Sequence, residues 1–224
     1  MSLSSYIILF GLAIFGIHFW LQTKRYIFQH EEVSRIAKRH AGNDKNIRAM
    51  FTKIALDLEK KYPGHILPEE SRQWQFVNAG GWMGSMYLLH ASLTEYVLFF
   101  GTAVDTQGHS GLYWANISDT VLAGSLRQWK DGTLESQVYG AGDLVLHGWG
   151  EVAAVQFSAG TWMVEYGRGF VPSTLGFALW DSIFSTLDFV SASKLIAVYA
   201  KALVRETAFQ VQEMIETLKK NMKS

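Results

Sequence analysis

The run TWMVEYGRGF, Thr161 to Phe170, sets one glutamate among Trp162, Met163, Val164 and Tyr166. Read as a strand, it alternates, placing Trp162, Val164 and Tyr166 on one face and Met163 and Glu165 on the other. Both faces have apolar neighbours in the sequence, and a carboxylate buried there is costly unless it is paired, hydrogen-bonded or protonated. The acids available as partners in the strand-rich region are Glu95, Asp105, Asp119, Asp131, Glu135, Asp143 and Glu151. Asp105 and Asp131 sit in turn-like text, and Glu95 and Glu151 at strand starts, whereas Asp119 opens the apolar run ISDTVLAG and can point into the same interior as Glu165. Two carboxylates close together in a low dielectric do not both ionise easily, so such a pair shares a proton and carries about one negative charge. Lined by Tyr96, Phe100, Trp82 and Met86, that site attracts a cation with an apolar body, a protonated amine or a developing carbocation. The alternative, a structural glutamate held by backbone donors, stands beside this reading.

Other chemistries find little support. His18, His30, His40, His65, His90, His109 and His147 form no HxH or HxxxH pair with a nearby carboxylate, which argues against a metal site. There is no cysteine, so disulfides, thiolate metal sites and cysteine nucleophiles are excluded. Gly-His-Ser-Gly at 108–111 lacks the G-x-S-x-G elbow and reads as a glycine-rich turn, and Gly80-Gly81-Trp82-Met83-Gly84 reads as a turn or a subunit contact. Twenty basic and twenty acidic side chains cancel and form no long basic run, so nucleic acid is not an expected partner. No cofactor is expected.

These residues need elements to position them. Hydrophobic residues make up 49% of the 224 and charged ones 18%, a composition rich enough in apolar surface to predict contact with lipid. YIILFGLAIFGIHFWLQ, Tyr6 to Gln22, matches the roughly 20 residues that cross a bilayer, with Trp20 and Tyr26 suited to an interfacial belt. It lacks a charged n-region and a small-residue cleavage site, so an uncleaved anchor is expected. Lys24 and Arg25 place the domain beyond them on the cytoplasmic side by the positive-inside rule. KRYIFQHEEVSRIAKRHAG reads as helix up to Gly42-Asn43-Asp44, a stop followed by a new N-cap. Ile47, Met50, Phe51, Ile54, Ala55 and Leu58 then form the apolar stripe of a second helix. From about Trp74 to Phe170, EYVLFFGTAV, SDTVLAGSLRQW, LESQVY, DLVLHG, VAAVQFS and TWMVEYG predict an all-β core, with GSMYLLHAS a short helix or a strand. TLGFALWDSIFSTLDF and KLIAVYAKALVRETAFQVQEMIETLKK predict two helical segments that cap the core or lie on a membrane, carrying Trp180, Phe184, Phe189, Leu195, Ile196, Tyr199 and Leu203.

NAGGWMGSMYLLHASLTEYVLFFGTA, GHSGLYWANISDT, TWMVEYGRGFVPSTLGFAL and FSTLDF resemble the family that groups the sigma-1 receptors with the fungal sterol C8–C7 isomerases, over nearly the whole chain after the anchor. The resemblance implies an α+β protein: tail 1–5, transmembrane helix 6–23, linking helices 24–70, a cupin-like β-barrel ligand-binding domain 71–170 and amphipathic membrane-adjacent helices 171–224. It also implies a homotrimer in the endoplasmic reticulum membrane and nuclear envelope, with lipid droplets and the plasma membrane as further sites, and a lumenal domain, against the vote of Lys24 and Arg25. In that pattern Glu165 binds the ligand amine, Asp119 bonds to Glu165 and shares its proton, and Tyr96 supports Glu165. The wall is Trp82, Met86, Leu88, Leu98, Phe100, Val155, Phe157, Leu175, Ala178 and Tyr199, with His147 nearby. The implied function is a chaperone-like receptor for hydrophobic amines, and for sterols or sphingoid lipids, that regulates calcium signalling and client ion channels and receptors. A sterol isomerase using the same two acids is the alternative, and a scaffold indifferent to Glu165 a third. This chain departs from the pattern in its anchor, in Phe157 where a tryptophan is expected, and in the sequon Asn116-Ile117-Ser118 beside Asp119.

Overall fold

The computed structural model describes residues 2–42 and 46–222. Helix α1, Leu3–Thr23, starts three residues before the predicted span because the Ser2 hydroxyl caps it, accepting from the Ser5 amide at 3.3 Å. Of its residues only Leu21 is buried, so an apolar helix long enough to cross a membrane projects from the fold, touching it near its C-terminal end, where His18 meets Trp114 and Trp149.

The helix expected from Lys24 onward does not begin there. The chain is non-helical until α2, His30–Lys38, because the side chain of Glu95 takes its backbone donors: the amides of Ile27 and Phe28 give hydrogen bonds of 2.9 and 3.0 Å to the carboxylate. The Tyr166 hydroxyl lies 2.9 Å from the Phe28 carbonyl and 3.0 Å from the same carboxylate, and the Phe28 ring is fully buried. Gly42 adopts φ +68°, in keeping with a helix stop. Asn43 and Asp44 lie outside the described residues. The cap of helix α3, Ile47–Lys61, is Asn46, whose side chain accepts from the amides of Arg48 and Ala49. Of the predicted stripe, Met50, Phe51, Ile54, Ala55 and Leu58 are the buried face of α3, and Ile47 at its start is partly buried.

Ten strands come next: β1 Trp74–Ala79, β2 Trp82–Ala91, β3 Glu95–Thr102, β4 Thr106–His109, β5 Ala115–Ala123, β6 Leu126–Lys130, β7 Gln137–Tyr139, β8 Leu144–His147, β9 Ala153–Phe157 and β10 Thr161–Gly169. They form a six-stranded sheet, β1-β2-β3-β10-β5-β8, and a four-stranded one, β4-β9-β6-β7, with antiparallel pairing throughout. GSMYLLHAS is therefore strand. SDTVLAGSLRQW divides into β5 and β6 at Gly124, whose φ of +72° turns the chain where a Cβ would meet the Thr161 backbone at 2.5 Å. The tight β1–β2 turn uses Gly80 and Gly81, both at positive φ, which assigns that glycine cluster to a turn.

The central strands of the larger sheet, β3, β10 and β5, are buried on both faces. Outward, Val97, Phe99, Leu122, Val164 and Tyr166 pack with α2 and α3; inward, Tyr96, Leu98, Phe100, Val121 and Met163 pack with Leu126, Val155 and Phe157 of the smaller sheet. The alternation predicted for β10 is this division. Helix α4, Pro172–Trp180, continues through a π-helical turn at Asp181–Ser185 and is succeeded by α5, Phe189–Asn221. Leu195 is buried, with Leu175 and Phe177 packed in the same cluster as Val77 and Ala79, while Trp180, Phe184, Phe189 and Ile196 are exposed. One face of this pair covers the β core and another presents apolar surface outward.

Candidate functional site

Glu165 lies near the middle of β10, where the chain is held on both sides. Its register partner on β5 is Asp119 and its partner on β3 is Leu98, so the two acids share the inner face on adjacent strands. Tyr96 reaches Glu165 from two residues along β3, with its hydroxyl 2.6 Å from Oε1. Its route is over Gly167, its register partner: a Cβ on that residue would stand 2.2 Å from the tyrosine ring. A glycine inside a strand thus makes room for the ring that holds the acid.

Asp119 is supported separately. Its Oδ2 lies 3.2 Å from Nε2 of His147 on β8, the strand paired with β5. The amide Nε2 of Gln128 lies 3.2 Å from the other ring nitrogen, Nδ1. An amide nitrogen only donates, so Nδ1 accepts and the imidazole proton sits on Nε2, facing Asp119. Asp119 Oδ1 is buried and takes no hydrogen bond from a donor group among the described residues. Burial pushes the Glu165 carboxyl well above the ordinary range, the charge of Asp119 adds to the rise, and the Tyr96 hydrogen bond opposes it. Burial, and then the charge of Glu165, push the Tyr96 phenol up as well, so it remains a donor at neutral pH.

Around these acids the two sheets and the C-terminal helices enclose a cavity of about 150 Å³. Every residue named for the site from the sequence lines it: Trp82, Met86 and Leu88 from β2; Tyr96, Leu98 and Phe100 from β3; Asp119, His147 and Glu165; Val155 and Phe157 from β9; Leu175 and Ala178 from α4; and Tyr199 from α5. Trp82, Phe100 and Phe157 form an edge-to-face group with ring centroids 5.0 to 6.1 Å apart. The sequence reading missed Val77, Ser110, Tyr113, Ile117, Leu126, Met163, Val171, Thr174, Phe177 and Leu195. Met163 was available from the alternation that selected Glu165. Ser110 and Tyr113 had no comparable signal, because they belong to the glycine-rich turn, where the Tyr113 hydroxyl bonds to the Ser110 carbonyl. An apolar enclosure whose polar centre is a carboxylate pair fits a hydrophobic cation and disfavours an anion.

A family model described as "ERG2 and Sigma1 receptor like protein" matches residues 5–211. The sigma non-opioid intracellular receptor 1 of Xenopus tropicalis is 60% identical over 195 residues, covering 87% of each chain, and that of Danio rerio is 57% identical over 198 residues, covering 88% of each. The C-8 sterol isomerase erg2 of Aspergillus fumigatus is 40% identical over 167 residues, 73% of this chain and 69% of its own. Among solved structures, an RmlC-like cupin from Shewanella frigidimarina overlaps 47% of this chain and 90% of its own at a TM-score of 0.40 and 13% identity. KdgF from Halomonas overlaps 47% and 94% at 0.38 and 10%. The match along most of its length, at higher identity to these receptors than to the fungal isomerase, makes this chain a member of the ERG2 and Sigma1 receptor-like family.

Proposed function

We propose that the protein is a membrane receptor whose interior cavity binds hydrophobic amines, with Glu165 as counter-ion to the ammonium and the aromatic wall receiving the apolar body. The observation that carries this reading is the placement of Glu165 opposite Asp119 inside an otherwise apolar enclosure. An ammonium leaving water needs a charge partner, and two carboxyl groups sharing one proton offer a single negative charge. Tyr96 orients Glu165, and His147 holds Asp119. A cavity of about 150 Å³ takes a benzene-sized group, so a longer ligand enters only as side chains on α4 and α5 move aside.

Several finer features go with this reading. Sterols and sphingoid lipids are further ligands of the same cavity. The protein works as a homotrimer in the endoplasmic reticulum membrane and nuclear envelope, in a chaperone-like role toward ion channels, receptors and calcium signalling. Residues 6–23 anchor it, 24–70 link, 71–170 bind ligand and 171–224 rest on the membrane. The identity to receptors and the membrane-length helix α1 support a membrane receptor, and the exposed Trp180, Phe184 and Phe189 support contact of the C-terminal helices with lipid.

A sterol isomerase is the second reading, favoured by the 40% identity to a C-8 sterol isomerase. A protonated carboxyl would deliver its proton to a ring alkene, and the remaining carboxylate would stabilise the carbocation until a proton leaves from another carbon. An ammonium ligand resembles that cation, so one pair of acids serves both readings. Saturation binding of a hydrophobic tertiary amine to membranes carrying wild type, Glu165→Gln or Asp119→Asn tests the receptor reading. Binding by wild type and its loss in Glu165→Gln are expected; undiminished binding in that folded variant overturns both readings. Sterol profiles of a yeast strain lacking its own isomerase, with this chain expressed, separate receptor from enzyme.

A further inference from the structure

A second cavity, of about 160 Å³, lies where α1 meets the β core, and its chemistry is the reverse of the first. Lys24 and Arg25 from the linker and Arg168 from β10 line it, with Tyr26, Trp114 and Trp149 among its walls and no acidic residue. Each cation has a different commitment. Lys24 donates to the Thr94 hydroxyl at 2.5 Å and also feels the charge of Glu95, which lies behind the wall and is bound to the Ile27 and Phe28 amides. Arg25 is exposed. Arg168 is half-buried, its guanidinium stacks over the Tyr26 ring at 5.4 Å, and no carboxylate among the described residues lies within ion-pair distance of it. A half-buried guanidinium without a counter-ion is a receptor for an anion, and its forked donors suit phosphate oxygens.

Position selects the source of that anion. Helix α1 runs for 21 residues, roughly 30 Å at the α-helical rise, about the thickness of the hydrocarbon core. The cavity begins at Leu21 and Gln22, so it stands at headgroup depth, walled by Trp114 and Trp149, with Lys24 over the Trp20 ring. We infer that this collar binds the phosphate of an anionic glycerophospholipid, with Arg168 and Arg25 on the phosphate oxygens and Tyr26, Trp114 and Trp149 at the level of the glycerol. The site depends on the membrane-crossing of α1 proposed above and is independent of the amine cavity.

Native mass spectrometry of the full chain, released from micelles containing equal amounts of a phosphatidylserine and a phosphatidylcholine, tests it. Wild type should retain the anionic lipid with several-fold preference. Arg168→Gln and Arg25→Gln should each bring the ratio toward one, and Lys194→Gln on α5 should leave it unchanged. Arg25 is exposed, so its variant remains informative if Arg168→Gln does not fold. Amine binding, measured on the same samples, should stay at the wild-type level. Displacement of the retained lipid by millimolar inorganic phosphate would assign the site to a free phosphate anion rather than to a lipid. No preference in wild type, or an undiminished preference in both arginine variants, overturns the site while leaving the amine reading intact.

Discussion

Glu165 and Asp119 face each other across the β10–β5 pair, yet each is held by a different neighbour, Tyr96 for the first and His147 for the second. The pair is thus fixed at its outer ends and coupled through space at its centre.

Stability should carry the signature of that coupling. A carboxyl whose folded pKa is raised binds its proton more tightly in the fold than in the unfolded chain, so its stabilisation is present below its ordinary value of 4.5 and is lost as pH rises toward the raised one. Glu165→Gln should therefore gain on wild type with rising pH, by at least ~1 kcal/mol between pH 5 and pH 8, since a tenfold change in proton affinity is worth about that much. Urea unfolding at both pH values checks this. The slope left in the variant belongs in part to Glu95, which burial also pushes up. Parallel profiles for the two proteins would mean that Glu165 is ionised in the fold.

Gly167→Ala should weaken amine binding more than an ordinary strand substitution would, because the new methyl occupies the path of the Tyr96 ring. Overpacking of this kind costs about 1–3 kcal/mol. Binding isotherms for Gly167→Ala and Tyr96→Phe should fall together, with Tyr96→Phe the better folded of the two.

His147→Ala removes the hydrogen-bond donor from a carboxylate oxygen whose twin is already unpartnered, a loss of about 1–3 kcal/mol. In a double-mutant cycle with Asp119→Asn, the histidine should matter less once the charge is gone. Additive losses would show that His147 acts by packing alone.

Much of this site was legible because strand alternation and the cost of burying charge act locally. Trp162, Val164 and Tyr166 against Met163 and Glu165 is a statement about period two, and the structure keeps it. The α3 stripe was equally local. The linker was not: Lys24–Gln29 has helix-like text, and Glu95, 67 residues from Phe28, supplies the competing acceptor. The tertiary partner outweighed the local preference. Tyr113 escaped notice for the same reason, since nothing in a glycine-rich turn signals that its neighbours close over a cavity. The identities of the acids came jointly from alternation and resemblance, while the separate anchoring of Asp119 by His147 required coordinates.

Glu95→Ala should unlatch the linker. It leaves the Ile27 and Phe28 amides without their acceptor and the Tyr166 hydroxyl with the Phe28 carbonyl alone, and hydrogen bonds to a charged group contribute about 1.5–3 kcal/mol each. Limited proteolysis should then cut within 24–29 at protease levels that spare wild type. Glu95→Gln, which keeps one acceptor, should fall between them.

The sequon at Asn116 should stay unmodified. Asn116 is tied into β5, where it pairs with Arg168, and its side-chain oxygen accepts from the Trp149 amide at 2.9 Å; Ser118 is buried against Tyr166 and His30. Glycosidase treatment should leave the mobility of the protein from eukaryotic cells unchanged, and Asn116→Gln should migrate with wild type.

The walls of the cavity around Glu165 are drawn from Val77 in β1 to Tyr199 in α5. During synthesis the two acids can come together once β10 has emerged, before α4 and α5 have emerged to close over them. The newborn protein therefore passes through an interval in which its most costly groups are still wet, and the energetic penalty arrives with the last helix. Ligand present in that interval would meet an open bowl rather than a closed chamber, so a compound that rescues a weakened variant should work best when supplied while the chain is being made.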